Sequence, residues 1–206
     1  ASAREGEEAE FLAALKRFMP LAPAAPAQEA PDLVANNAAG SVQWLIVPRH
    51  PQRFDDVAAL VQQHGLSVSR RSSWGQGAAP AVADVWLGDS MGEMALYYGL
   101  GHVALLGGSF APLGGQNLIE AAACGCPIVT GPSVFNFQEA ATLAQQAGAA
   151  FPVASMAQGV QLAVDLAQDG ARLAQVRALA EHFAAAHRGA ADRTAQAVQT
   201  LLSSPR

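Results

Sequence analysis

The chain has 206 residues, 51% of them hydrophobic and 14% charged, with 12 Lys and Arg against 17 Asp and Glu for a net charge of −5. This length suits one domain with a few added helices, and the composition excludes a disordered acidic chain, a collagen-like repeat and a disulfide scaffold. The acidic balance also argues against a broad electrostatic grip on nucleic acid, so no nucleic-acid partner is expected.

No stretch reaches the roughly 18 apolar residues of a spanning helix, and the acidic residues 1–10 do not read as a signal peptide. The segment 2–8 reads as a loop opening a helix with no strand ahead of it, so the chain is expected to be part of a larger protein. Phe11, Leu12, Leu15 and Phe18 then recur with helical spacing behind Glu5, Glu7 and Glu8, which complement a helix dipole. Residues 20–40, rich in Ala, Pro, Asn and Gly, read as a flexible insertion.

Residues 42–47 form a short apolar run ending at Pro48-Arg49-His50-Pro51, and Phe54, Val57, Leu60 and Val61 follow with helical period. Two short strands are expected over 66–69 and 81–87, the second leading through Gly88-Asp89-Ser90-Met91-Gly92-Glu93 into a helix. Further strands are expected at 103–106, 127–130 and 151–153, with helices at 117–124, 136–147 and from 155 to 203. Strands alternating with helices predict an α/β domain with a parallel sheet covered on both faces. Leu162, Leu166, Leu173, Val176, Leu179 and Phe183 make the stripes that close it.

In such a sheet ligands sit beyond the carboxyl ends of the strands, where glycine turns and helix starts leave N–H groups unpaired. Four segments fit: Pro48 to His50, Gly88 to Glu93, Gly107 to Ser109 with Gly114 to Asn117, and Gly131 to Phe137. The two Gly pairs, Gly107-Gly108 and Gly114-Gly115, would let a phosphate approach the backbone, or simply make tight turns. Glu120 shares a helix face with Asn117 and is placed to accept ribose hydroxyls, against the plainer reading of dipole complement. Arg49 between two prolines aims a fork at a phosphate, or is a solvated surface arginine, while His50 reads as a satisfied loop histidine. Phe135 and Phe137 read as core anchors presenting Asn136.

Gly88 to Gly92 also fits the G-x-S-x-G elbow of a serine hydrolase, with Ser90 as nucleophile. The acids Asp165 and Asp169 and the bases His182 and His187 lie in helical pattern, whereas triad partners belong on loops after strands. A non-catalytic partner module using the helices after 155 is a third class. No complete G-x-G-x-x-G and no NTPase phosphate loop occur. Cys124 and Cys126, one residue apart, point to small buried thiols in a reducing compartment, and no metal or cofactor is expected.

Taken in order, the opening Ala1-Ser2-Ala3-Arg4-Glu5-Gly6-Glu7-Glu8, Val47-Pro48-Arg49-His50-Pro51, Gly88-Asp89-Ser90-Met91-Gly92-Glu93, Gly107-Gly108-Ser109, Gly114-Gly115-Gln116-Asn117 with Glu120, and Gly131-Pro132 through Asn136-Phe137 resemble the C-terminal half of the 3-deoxy-D-manno-octulosonic acid (Kdo) transferases of lipopolysaccharide synthesis. The resemblance runs from residue 1 to about 195 apart from 20–40. It implies the Rossmann-like C-terminal domain of an inverting GT-B glycosyltransferase, spanning 1–206 as one domain, that binds the CMP-Kdo donor. The lipid A precursor, the catalytic base and the membrane contact belong to an N-terminal half outside this chain. The implied setting is the cytoplasmic face of the bacterial inner membrane, with this portion alone soluble and inactive.

The donor nucleotide would then meet Arg49, Gly88, Asp89, Ser90, Met91, Gly92, Glu93, Gly108, Ser109, Gly114, Gly115, Gln116, Asn117, Glu120 and Asn136. The phosphate is expected near Gly108, Ser109 and residues 114–117, and the ribose on Glu120. Two positions depart from the family pattern: Ala3 stands where a Thr is common, and Gln116 where a His is common. Gln116 can donate a hydrogen bond but cannot carry a proton, so it is assigned binding alone. Other nucleotide-sugar enzymes share this architecture, and spacing alone does not choose the base.

Overall fold

The computed structural model describes residues 2–18, 42–75, 81–187, 196 and 198–200. The expected insertion at 20–40 lies outside the described residues, as does the break expected near Arg188-Gly189. Among the described residues six strands and seven α-helices follow one another, mostly in alternation, with helices on both sides of the sheets. Helix α1 (Glu7–Leu15) comes first, then β1 (Trp44–Ile46), α2 (Phe54–Gln63), β2 (Val68–Arg70), β3 (Val85–Leu87) and α3 (Met94–Leu100). Strand β4 (Ala104–Leu105), α4 (Ile119–Ala123), β5 (Ile128–Thr130), α5 (Gln138–Gln146), β6 (Ala150–Pro152), α6 (Met156–Gln168) and α7 (Gly170–Ala186) complete the order.

The elements form near where the sequence predicts them, most of them shorter, with β2 shifted to end at Arg70 and β6 to begin at Ala150, while much of the helical pattern expected after residue 187 lies outside the described residues. All strand pairs are parallel, but they fall into two three-stranded sheets, β1-β3-β2 and β4-β5-β6, where one sheet was expected. Ala3 forms an isolated parallel bridge with Pro48 just past β1: its N–H donates to the Val47 carbonyl at 2.8 Å, and Arg49 N–H donates to its carbonyl at 3.0 Å. The stretch before α1 therefore has β character, which its composition of small and charged residues concealed.

The buried apolar residues divide in the same way. Leu12 and Leu15 of α1 pack with Ile46, Val57, Val61, Val85 and Leu87 and with Val160 and Val164 of α6. Leu106, Leu118, Ile128, Ala144, Ala180 and Phe183 form the second cluster, closed by α4 against α7. Helices α6 and α7 are thus covers of the sheets. Of their expected stripe, Leu166, Leu173, Val176 and Phe183 are buried while Leu179 stays at the surface.

Both late helices begin at side-chain caps. Ser155 Oγ accepts from Gln158 N–H while the Gln158 side chain accepts from Ala154 N–H, a reciprocal pair that satisfies two otherwise orphaned donors. Asp169 accepts from Arg172 N–H at 3.0 Å and opens α7 one residue after α6 ends.

Candidate functional site

Because every strand pair is parallel, the loops after β1, β3, β4 and β5 emerge at the carboxyl ends of their sheets. The loop after β3 enters through Gly88, which accepts no side chain: a Cβ there would lie 2.9 Å from both the Tyr97 ring and Val47. Asp89 follows, buried, and its carboxylate accepts from Ser72 N–H at 2.7 Å, Ser72 Oγ at 2.6 Å and Arg70 Nε at 2.7 Å. Burial pushes its pKa up, but the Ser72 and Arg70 bonds outweigh it and hold the carboxyl below its ordinary range. Asp89 is therefore a fixed anion that pins the loop to the turn after β2.

Glu93 closes the same loop. It accepts from Arg71 at 2.8 Å and from Ser90 Oγ, and Tyr97 hydroxyl contacts both Ser90 and Glu93. The Ser90 bond, with help from Arg71, keeps the Glu93 carboxyl below its usual range. Between these anchors Met91 stands 69% exposed and Gly92 adopts φ +78°, so the loop presents backbone and one thioether outward. Arg71 and Tyr97 were not singled out in the sequence, since only the fold brings residues 71, 93 and 97 together.

This arrangement removes the hydrolase reading. Ser90 bonds to a carboxylate and a phenol, neither of which is a histidine base. His187 is bonded to the Phe183 carbonyl, Asp165 to Gln161, and Asp169 caps α7. No Ser-His-acid relay exists among the described residues.

The loop after β4 differs from the expectation in one important respect. Its N–H groups already hold an anion, the carboxylate of Glu7, which accepts from Gly108 at 2.7 Å, Phe110 at 3.0 Å and Ala111 at 3.1 Å. Glu7 is 3% exposed, so the concave nest at Gly108 is filled by the protein itself. Its spacing in an acidic first turn had suggested dipole complement only.

Ser109, expected at a phosphate, is wholly buried: its Oγ donates to the Leu106 carbonyl at 2.5 Å and accepts from Gly131 N–H at 2.8 Å. It ties the β4 loop to the β5 loop. Gly114 N–H donates to Ser133 Oγ and Gly115 N–H to the Gly108 carbonyl, so both glycines spend their donors inside the fold. Gly114 is required as well, because at φ +81° its Cβ would lie 2.3 Å from the Asn136 side chain.

What remains accessible is Arg49, Gln116, Asn117, Glu120, Met91 and Asn136. Arg49 is exposed and its guanidinium makes no hydrogen bond or ion pair among the described residues. Burial drives the pKa of the Tyr98 phenol upward, with the Glu120 charge adding to the rise and the Arg49 charge opposing it. Glu120 accepts from Asn117 Nδ2 at 3.1 Å, but α4 starts only at Ile119, so Asn117 lies ahead of the helix instead of on its face, and its Oδ1 accepts from Ile119 N–H at 3.1 Å. Asn136 donates to the Leu113 carbonyl at 3.0 Å, and Phe135 is 64% exposed rather than a core anchor. In the 3-10 turn of residues Phe135–Phe137, side chains two apart leave on different sides, so only Phe137 reaches the cluster.

The cysteines are free, with Cys126 buried and its thiol pushed up to about 12 by burial. Among the described residues no group of three or more His, Cys, Asp or Glu is arranged to hold a metal, and no helix is long and apolar enough to cross a membrane.

No protein-family profile matches the chain. It is 43% identical to a 3-deoxy-D-manno-octulosonic acid transferase of Bordetella pertussis over 98% of its own length and 44% of that protein. A transferase of the same name from Haemophilus influenzae is 38% identical over 59% of the chain and 28% of the relative. The chain thus spans less than half the length of these relatives. Among solved structures, the C-terminal CMP-Kdo binding domain of WaaA from Acinetobacter baumannii superposes with a TM-score of 0.71 at 32% identity, covering 88% of this chain and 85% of that domain. Near-complete coverage of one solved domain, with relatives of a single name, establishes that the chain belongs to the 3-deoxy-D-manno-octulosonic acid transferase family and corresponds to its C-terminal domain.

Proposed function

We propose that this chain binds CMP-Kdo as the donor domain of a glycosyltransferase that moves Kdo onto a lipid A precursor in lipopolysaccharide synthesis. The observation that carries it is the match to a CMP-Kdo binding domain over 85% of that domain's length. The accessible residues suit a nucleotide monophosphate. Arg49 offers an unpaired fork to the phosphate, with Gln116 and Asn117 as further donors. Glu120 accepts ribose hydroxyls, and the outward backbone of residues 90–92 beside Met91 reads the base. Gly88, Asp89, Glu93, Gly108, Ser109, Gly114, Gly115 and Asn136 shape this surface, mostly by holding its loops.

In this reading the chain supplies donor recognition and no proton transfer. The base, the acceptor site and the contact with the cytoplasmic face of the inner membrane lie in the remainder of the longer protein. Calorimetric titration with CMP, with UMP as control, tests the reading. CMP should bind saturably and more tightly than UMP, and Arg49→Ala and Glu120→Ala should each weaken it by about tenfold or more while leaving the fold intact. A folded sample that binds neither nucleotide, or prefers UMP, overturns the assignment.

A further inference from the structure

Near the carboxyl ends of β1 and β2, Arg53, Arg70 and Arg71 are each neutralised by acids of the protein itself. Arg4 and Arg49 are not, since neither makes an ion pair among the described residues. The acids that follow Arg4 are already committed. Glu5 and Glu8 pair with Arg53, and Glu7 accepts from four backbone N–H groups, that of Arg4 among them at 2.9 Å. Two cations without a counter-charge attract an outside anion even in a chain of net charge −5.

The two stand on neighbouring backbones. Arg49 N–H donates to the Ala3 carbonyl at 3.0 Å, and Arg4 and Arg49 each lie one residue past the parallel bridge between Ala3 and Pro48. Paired strands run about 4.8 Å apart, so the two side chains leave from adjacent points. His50 joins them, because Arg4 Nη1 lies 3.3 Å from His50 Nε2. A guanidinium only donates, so Nε2 is the acceptor, the imidazole is neutral and its proton sits on Nδ1. Arg4 is half-buried, and this bond steadies its fork while its side chain makes no other hydrogen bond among the described residues.

We infer that Arg4 and His50 bind the carboxylate of the donor's sugar while Arg49 takes its phosphate, an inference that rests on the donor reading given above. An octulosonic acid bears its carboxylate on the anomeric carbon, the carbon that also carries the phosphate oxygen in a CMP ester. The two anionic groups are therefore neighbours in one molecule, and they meet two neighbouring arginines. A planar guanidinium takes a carboxylate through two parallel N–H···O bonds, and His50 Nδ1–H is a further donor. The pair selects a sugar acid over a neutral sugar on the same nucleotide, because a neutral sugar leaves Arg4 without an anion.

Calorimetric titration with CMP-Kdo and with CMP tests this on the parent chain, Arg4→Ala, Arg4→Lys and His50→Ala, with folding checked by circular dichroism. The backbone N–H that Arg4 gives to Glu7 survives in both of its variants. Arg4→Ala should weaken CMP-Kdo by about tenfold while CMP stays within about twofold of the parent. Arg4→Lys should recover part of that loss, and His50→Ala should weaken CMP-Kdo selectively but less. If Arg4→Ala fails to fold, His50→Ala carries the same comparison, since His50 is exposed. Equal loss for both ligands overturns the inference by assigning Arg4 to the phosphate, and so does a CMP-Kdo affinity that neither alanine variant changes. In both of those outcomes CMP still binds the parent and the donor reading stands, whereas a folded parent that binds neither ligand overturns the two together.

Discussion

The two sheets hold their functional loops by different means. Every ion pair among the described residues involves Arg53, Arg70 or Arg71, and all serve the β1-β3-β2 half. Around β4-β5-β6 the loops are fixed by backbone donors, the hydroxyls of buried Ser109 and half-buried Ser133, close-packed glycines and one buried carboxylate borrowed from α1. Side-chain charge at half-exposed positions holds a loop adjustably, because salt weakens it, whereas steric contact and buried hydrogen bonds are little screened by salt. One wall of the cleft is therefore tunable by solution conditions and the other is rigid.

Substitutions can break or sharpen this contrast. The largest effect is expected at Gly131, where a Cβ would come within 2.4 Å of the Ser109 carbonyl oxygen and 2.7 Å of Phe110 Cα, both backbone atoms that cannot swing aside. Gly131→Ala should lower stability by about 3 kcal/mol, measured by urea unfolding, at any ionic strength. Glu7→Ala comes next, since it strips the acceptor from four N–H groups, those of Arg4, Gly108, Phe110 and Ala111. A loss of about 2 to 3 kcal/mol is expected, and Gly108, Phe110 and Ala111 amides should exchange faster.

In the other half, Asp89→Asn should cost about 1 to 2 kcal/mol at neutral pH through its Ser72 and Arg70 bonds. Its folded pKa lies below the ordinary 3.8, so its stabilisation is complete above that value and is lost as pH falls through the folded pKa. Acid unfolding curves of the parent and Asp89→Asn should therefore converge at low pH. The smallest effect belongs to Arg71→Ala, whose partner Glu93 is at the surface. Thermal unfolding should barely move, while nucleotide affinity falls modestly and the difference fades in high salt.

The order of elements was legible because short apolar runs ending in glycine or proline alternate with helical periodicity, and this local signal survived into the structure. The two-sheet division was not, since pairing depends on which edges meet and Ala3 carries no strand signal of its own. Of the residues expected at the nucleotide, Arg49 and Glu120 are both accessible, as the proposed donor site requires. Ser109 and Gly108 were misread in detail, because a glycine turn that could receive an outside anion looks the same in sequence as one that receives Glu7 from a hundred residues away. Phe135 shows the same limit: an aromatic in a 3-10 turn can leave on either side, and only the packed neighbours decide.

The carboxylate of Glu7 has a further bearing on the proposed donor site. A glycine loop that must wait for a phosphate is loose until the phosphate arrives, and part of the binding energy goes into ordering it. This loop arrives already ordered, tied to the first helix by a permanent internal counter-ion. Any anion entering the cleft is then distinguished by what lies beyond the loop, and the glycines act as a template edge whose shape is set when the chain folds.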